Sequence, residues 1–385
     1  MAPLFIPNTT ASLRNITGDL SRNITGGRFN GTGGHKMPLA FAVFGYCTIG
    51  LVVFGFVGNV LMIGSMFHGK LYRHTTNQLL INLFLVGAIY AALAMPAAAY
   101  STIRLGWHAD NGSCRFFGFM ALSGCFVSCL NHAAIAVARY LAVVHIGSIS
   151  KRIQDRVGLV MLVLTWLMPY VVFTFPFFGV GAMYGYKKSV ERCQYSSVEA
   201  PFVNAYRFIF QIAPIVVMCI CYTLIVFKVC LVRTAVGRNK QKDTSLRFKH
   251  RFSVELGIAK RTGTVAVFFI VCFLPSVVWS YIPGSIVQDL TENLAPSLYL
   301  LMWFGVTCSY LAYLPVNPDL RYAIRSLLKR LRLWPTKRAS VGPVIIAPTD
   351  FPHNFTETRS KSTRLAASPR PRTLTEHTTG SVKDG

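Results

Sequence analysis

Charged positions in this chain recur on the scale of a membrane's thickness. Seven stretches carry no charged residue: 39–67, 75–103, 116–138, 157–186, 208–227, 262–288 and 293–317. Basic segments separate them, and each stretch holds at least 20 residues. At a rise of about 1.5 Å per residue, about 20 apolar residues cross the roughly 30 Å hydrocarbon core as a helix. Helices of a soluble domain keep a polar face, and these stretches offer none. The pattern predicts an all-α membrane protein, a seven-transmembrane helix bundle. Beyond the seventh stretch, Leu320, Ile324, Leu327, Leu328 and Leu331 recur at helical spacing with Arg and Lys between them. That spacing predicts a short amphipathic helix lying on the membrane surface.

Composition agrees, with 52% hydrophobic and only 14% charged residues, against about 25% charged in a soluble domain. The net charge of +25 invites a nucleic-acid partner, and its distribution argues against one. With the N-terminus outside, the inner segments hold 29 Lys+Arg and 8 Asp+Glu, a net of +21; the outer segments hold 10 and 6, a net of +4. This is the positive-inside bias of a membrane protein. The basic runs 228–261 and 321–338 then face the anionic inner leaflet and a cytosolic partner. The expected location is the plasma membrane, multi-pass, with lipid bilayer around the bundle and no nucleic acid bound.

Three segments follow along the chain: an extracellular tail at 1–36, the membrane domain at 37–333, and a Ser/Thr/Pro/Arg-rich cytoplasmic tail at 334–385 expected to be disordered. The first contains four Asn-x-Ser/Thr acceptors, at Asn8, Asn15, Asn23 and Asn30, which predict glycosylation on the outer side. No signal-peptide apolar core precedes Leu39, so the first span is expected to direct insertion. Of ten cysteines, eight fall within spans or at their inner ends, where a thiol packs as a small apolar group. Cys114 and Cys193 fall in outer loops, an oxidising setting, and are expected to form a disulfide.

Residues at successive places add a resemblance. They are Gly58-Asn59, Asn82-Leu83 with Pro96, Trp107 before Cys114, Arg139-Tyr140, Trp166, Pro214 with Tyr222, Cys272-Phe273-Leu274-Pro275, and Asn317-Pro318-Asp319-Leu320-Arg321. In this order and spacing, over roughly 40–333, the chain resembles the rhodopsin-like (class A) G-protein-coupled receptors. The resemblance implies a small-molecule ligand outside, a heterotrimeric G protein inside, and arrestin engaging the Ser/Thr-rich tail. It implies a switch built from Arg139, Tyr140, Tyr222, Glu255, Phe273, Pro275 and Tyr313. Within it, Arg139 and Glu255 form a latch between the third and sixth spans. Glu255 is the one acid between Asp243 and Asp289, 20 residues before Pro275. The implied ligand pocket is lined by Ala121, Leu122, Cys125, Tyr206, Arg207, Phe273, Ser276, Trp279, Tyr299 and Trp303. It is aromatic and apolar with few polar points, and within the family it is loosely similar to the melatonin receptors and the medium-chain fatty-acid receptor.

Departures are equally specific. The family's acid before the third-span Arg is Ala138, its second-span acid falls at Gly87, and its Asn-Pro-x-x-Tyr reads Ser309-Tyr310-Leu311-Ala312-Tyr313. Without a carboxylate at 87, no sodium site is expected. The amine receptors' Asp falls at Ala121, and retinal's Lys falls at Trp303, so neither ligand is expected. Arg207 makes an anionic ligand the bolder expectation, since a guanidinium in an apolar pocket pairs best with a carboxylate.

Other function classes have less support. A transporter wants intramembrane acids or repeats, and the charge-free stretches contain no acid. An enzyme or metal site wants clustered ligands, and His132 has no second His or acid near it in sequence, so no metal and no cofactor are expected. A constitutively active or non-signalling receptor of the same fold remains the alternative suggested by Ala138, Gly87 and Tyr310.

Overall fold

The computed structural model describes residues 39–73, 75–238, 246–282 and 291–333. The four acceptor asparagines at 8, 15, 23 and 30 and the tail 334–385 lie outside the described residues. Helix α1 spans Leu39–His68. Helix α2 comprises Thr75–Ile89, a π-helical turn Tyr90–Ala94 and Met95–Ile103. Helix α3 is Asn111–Val144, and α4 is Lys151–Thr174 with a 3-10 turn Phe175–Phe178. Strands β1 (Ala182–Lys187) and β2 (Arg192–Val198) form an antiparallel hairpin. Helix α5 comprises Ala200–Arg207, a π turn Phe208–Ile212 and Ala213–Arg238; α6 is Leu246–Tyr281. Helix α7 is Thr291–Thr307 and Ser309–Val316, bent by 46° at the break, and α8 is Pro318–Arg330. Among the described residues six helices are long and apolar enough to span a bilayer, and the bent α7 makes the seventh.

The helices overrun the charge-free stretches. α3 starts at Asn111, α5 at Ala200 and α6 at Leu246, because helices continue past the hydrocarbon to where charge is solvated. The stretch 157–186 is not one helix. Gly179 and Gly181 sit at φ 75 and 73, left-handed backbone that glycine adopts without a Cβ clash. The apolar residues after them therefore become β1. Pro96 and Pro214 each follow a π turn instead of a simple kink. A proline cannot donate to the fourth residue back, and widening the preceding turn relieves the clash. The π turns turn Tyr90 and Phe210 inward, where both are buried.

In the apolar windows of α2 and α3, 67% of residues are buried, against 22% in those of α1, α4 and α5. α2 and α3 are thus the inner helices, and the others present faces to lipid. Polar groups stitch them together, since in lipid each needs a protein partner. Asn59 Nδ2 donates to Gly55 O and Thr307 O, both at 2.7 Å, joining α1 to α7 at its break. Trp166 Nε1 donates to Asn82 Oδ1 at 2.7 Å, joining α4 to α2. Helix α8 buries Leu320, Ala323 and Ile324, and Ser326 Oγ lies 3.0 Å from His68 Nε2 of α1.

Tyr310 fits a notch in α1. Its hydroxyl donates to Phe54 O at 3.0 Å, and a Cβ on Gly58 would overlap its ring. Gly58→Ala is expected to destabilise the bundle by about 1–3 kcal/mol through overpacking. Paired with Tyr310→Ala the losses should be less than additive. Thermal unfolding of the detergent-solubilised single and double variants measures this, and strict additivity would deny the contact.

Candidate functional site

The end of the bundle that carries α8 is built around one buried cation. Arg139 lies near the end of α3 and is 5% exposed. Its Nη1 lies 3.2 Å from Glu255 Oε2 on α6, and its Nε is buried without a hydrogen-bond partner. Glu255 reaches it because α6 continues as helix well below Pro275. The pair lines a cavity of about 670 Å3, whose wall also includes Ala138, Tyr313, Arg261 and Asp319. Tyr222 is not in this wall; its ring rests on α6, where a Cβ on Gly263 would meet it at 3.3 Å. The Tyr140 hydroxyl lies 3.2 Å from His145 Nε2 and faces the loop after α3. A second clasp sits nearby: Arg261 Nη1 of α6 donates to Asn317 Oδ1 at 3.3 Å and reaches Asp319 Oδ2 at 3.2 Å. Asn317 also caps α8 by accepting from Asp319 N and Leu320 N.

A column of rings runs up from this end. His132 stacks on Phe269 with centroids 3.9 Å apart, and Phe269 stacks on Phe273 at 5.0 Å. Phe273 is 1% exposed and follows Cys272 in the segment that ends at Pro275.

The opposite end is roofed by the hairpin. Cys114 and Cys193 form a disulfide that pins β2 to α3, and Gly118 lets the backbone of Gln194 approach α3 closely. Asp110 caps α3 by accepting from Ser113 N at 2.7 Å, and this hydrogen bond holds its carboxyl below the usual carboxylate range. Under the roof, Phe126, Phe173, Tyr206 and Phe210 pack ring on ring. Cys125, Phe273 and Trp303 are buried in the same cluster, with Ala121, Leu122, Tyr206 and Tyr299 packed against it. Ser276 Oγ donates to Phe273 O at 2.7 Å. Two of the residues expected here stand apart. Trp279 makes no ring contact among the described residues, and Arg207 lies at the rim, 5.3 Å over the exposed ring of Tyr281. Arg192 is a basic residue that the sequence alone does not single out. The structure buries it beneath the hairpin against Tyr299, Trp303 and Phe44. The signal for it was its place directly before Cys193.

Comparison with known proteins follows this geometry. The family described as 7 transmembrane receptor (rhodopsin family) matches residues 58–312. The chain belongs to the rhodopsin family of seven-transmembrane receptors. It is 25% identical to the melatonin receptor type 1A of Gallus gallus over 72% of this chain and 77% of that one. It is 26% identical to the melatonin receptor type 1B-B of Danio rerio over 76% and 79%. Crystalline squid rhodopsin shares the fold at TM-score 0.66 and 18% identity, over 77% of this chain and 88% of that one. The chain is therefore a multi-pass membrane receptor, and its family are receptors, not enzymes.

The structure also accounts for this receptor's departure at Gly87. A Cβ there would lie 2.8 Å from Asn59 Nδ2, so the space of a side chain at 87 is taken by the amide that joins α1 to α7. No group of three His, Cys, Asp or Glu that could hold a metal occurs among the described residues. Replacing sodium by a bulky organic cation at constant ionic strength is expected to leave the thermal midpoint of the purified receptor unchanged. Gly87→Asp should lower that midpoint by displacing Asn59, at about 1–3 kcal/mol, without creating sodium dependence. Selective stabilisation by sodium in the parent would contradict this.

Proposed function

We propose that the chain is a plasma-membrane receptor that binds a small molecule under the hairpin and activates a heterotrimeric G protein at its α8 end. In this reading the disulfide end and the N-terminus are outside, where a disulfide persists and the basic excess is small. The Arg139–Glu255 pair across α3 and α6 carries the proposal. It ties together two helices that line a cavity of about 670 Å3, large enough for a helix end to enter when α6 swings away. A contact with two discrete states, made and broken, is what a switch requires. The ring column of His132, Phe269 and Phe273 supports it by joining α3 to α6 between the two ends.

The ligand site of this proposal uses Ala121, Leu122, Cys125, Tyr206, Phe273, Ser276, Tyr299 and Trp303, with Arg207 and Trp279 at its rim. The Ser/Thr-rich tail 334–385 is the proposed segment for arrestin, by phosphorylation that supplies anionic groups. An anionic ligand fits the basic residues around the mouth. A second reading, a constitutively active or non-signalling receptor, is favoured by one observation. Ala138 supplies no carboxylate beside Arg139, whose ion pair is with Glu255 on α6.

Glu255→Ala is expected to raise basal G-protein signalling. The pair is worth more than an exposed one, which contributes under about 1 kcal/mol, because the Arg139 side chain is 6% exposed and that of Glu255 25%. About 1.4 kcal/mol shifts a two-state ratio tenfold. G-protein dissociation in cells at matched surface expression measures it, with Arg139→Ala as the silent control. Equal basal signal in parent and Glu255→Ala sinks the latch, and silence of both with every G-protein class favours the non-signalling reading.

A further inference from the structure

The geometry points to Arg192 as the anchor of an acidic ligand: we propose that this receptor binds a carboxylate-bearing amphiphile, its head on the Arg192 guanidinium and its apolar body among Phe44, Tyr299 and Trp303. The proposal rests on the disulfide end being the ligand site, and it moves the expected anion contact from Arg207 to the hairpin.

Backbone restraints on both sides hold this arginine inward. Cys193, directly after it, is bonded to Cys114 of α3. Glu191, directly before it, has φ 49, a left-handed conformation that a non-glycine residue keeps only when its surroundings enforce it. The enforcing contacts come from α2: Ser101 Oγ and Thr102 Oγ1 donate to Glu191 O at 2.9 and 3.3 Å. With both neighbours fixed, Arg192 is only 6% exposed. Its guanidinium carbon lies 3.7 Å from the ring centre of Tyr299 and 5.6 Å from those of Phe44 and Trp303.

Among the described residues no acid meets the guanidinium. Arg192 forms no ion pair and no side-chain hydrogen bond among the described residues, and its Nε is buried without a partner. The neighbouring carboxylate of Glu191 is engaged by the Tyr186 hydroxyl, and burial raises its pKa. Burial pushes the Arg192 pKa down, partly offset by Tyr299 and Tyr90. An arginine stays charged in proteins, and aromatic faces compensate only part of its desolvation. A carboxylate supplies what is missing, two oxygens matched to the planar fork.

The surroundings set the rest of the ligand. A cavity of about 10 Å3, room for about one water, opens beside Arg192 between α1, the hairpin turn and α7. Phe41, Phe44, Val190, Ala295 and Pro296 give it apolar walls, with Ser189 and Arg192 as the polar part of the lining. An acid entering here widens it, carries apolar substance along those walls, and exchanges the ring faces for a true counter-charge. Other cations at this end are placed less well. Arg115 and Arg207 also bury an unpartnered Nε, but neither residue is buried as Arg192 is: Arg115 Nη2 donates to Phe177 O at 2.6 Å, and Arg207 lies beside the exposed Tyr281.

The test uses the full receptor with decanoate, hexadecanoate, a lysophosphatidate, decanol, decylamine and melatonin as probes. Thermal midpoint in detergent reads binding, and G-protein dissociation in cells reads coupling. Decanoate or hexadecanoate should raise the midpoint of the parent and of Arg207→Ala, with an affinity about tenfold or more weaker for Arg192→Gln. Arg192→Lys, which keeps the charge without the fork, should fall between, and it replaces Arg192→Gln if that variant fails to fold. A response to the lysophosphatidate alone would overturn the carboxylate, and equal response of Arg192→Gln or Arg192→Lys to the acids would overturn the anchor. Response only to decanol, decylamine or melatonin, or to no probe, also overturns the proposal. The basal signal of Glu255→Ala needs no ligand, so its presence or absence judges the G-protein reading separately.

Discussion

A positive charge held at the edge of the hydrocarbon layer constrains this receptor more than any other feature. Arg139 belongs to one of the two inner helices of the bundle, and removing its guanidinium from water is costly unless an anion accompanies it. Glu255 is that anion, at 3.2 Å. Position 138 on α3 is an alanine, and the carboxylate comes from another helix, so charge compensation becomes helix–helix attachment. The same physics recurs at Arg261, which joins α6 to Asn317 and Asp319 at the α7–α8 junction. Helix α6 is therefore held at its basic end by two contacts of guanidinium with oxygen, one toward α3 and one toward α8. Its middle, by contrast, is held by stacked rings and packing. A helix fastened by charge at one end and by apolar packing higher up can pivot without losing its core.

The other end obeys a complementary constraint. There the backbone is fixed and the charge has no ion pair among the described residues. The Cys114–Cys193 disulfide, the Ser101 and Thr102 hydroxyls and the left-handed Glu191 together place Arg192 among aromatic faces. Among the described residues one arginine meets an acid, and the other does not. That asymmetry separates a contact closed within the fold from one open to a ligand. Between the two lie Phe273, Phe269 and His132, a continuous stack through the interior.

Much of this was legible in the sequence, for reasons that differ by feature. Seven spans follow from the absence of charge over lengths set by the bilayer. The disulfide follows from two thiols on the oxidising side. Glu255 as partner of Arg139 follows from its being the single acid in its region. Other features depend on contacts that no local pattern encodes. The β-hairpin was hidden inside a charge-free stretch, and only the left-handed glycines at 179 and 181 mark its start. Pro96 and Pro214 announced irregularity but not the π turns that turn Tyr90 and Phe210 inward. Gly87 read as a missing acid, yet its size is what admits the Asn59 bond to α7. Arg192 and Arg261 were two among many basic residues until the fold put aromatic rings around one and oxygens beside the other.

The central claim is that the Arg139–Glu255 pair holds α6 against α3. Distance distributions between spin labels at the exposed positions 151 and 251, attached by a cysteine-independent chemistry, test it most directly. Glu255→Gln keeps the shape of the side chain and removes its charge. A new, longer-distance population is expected in that variant relative to the parent, without any ligand. An unchanged distribution in Glu255→Gln would contradict it, because α6 would then be held by something other than this ion pair.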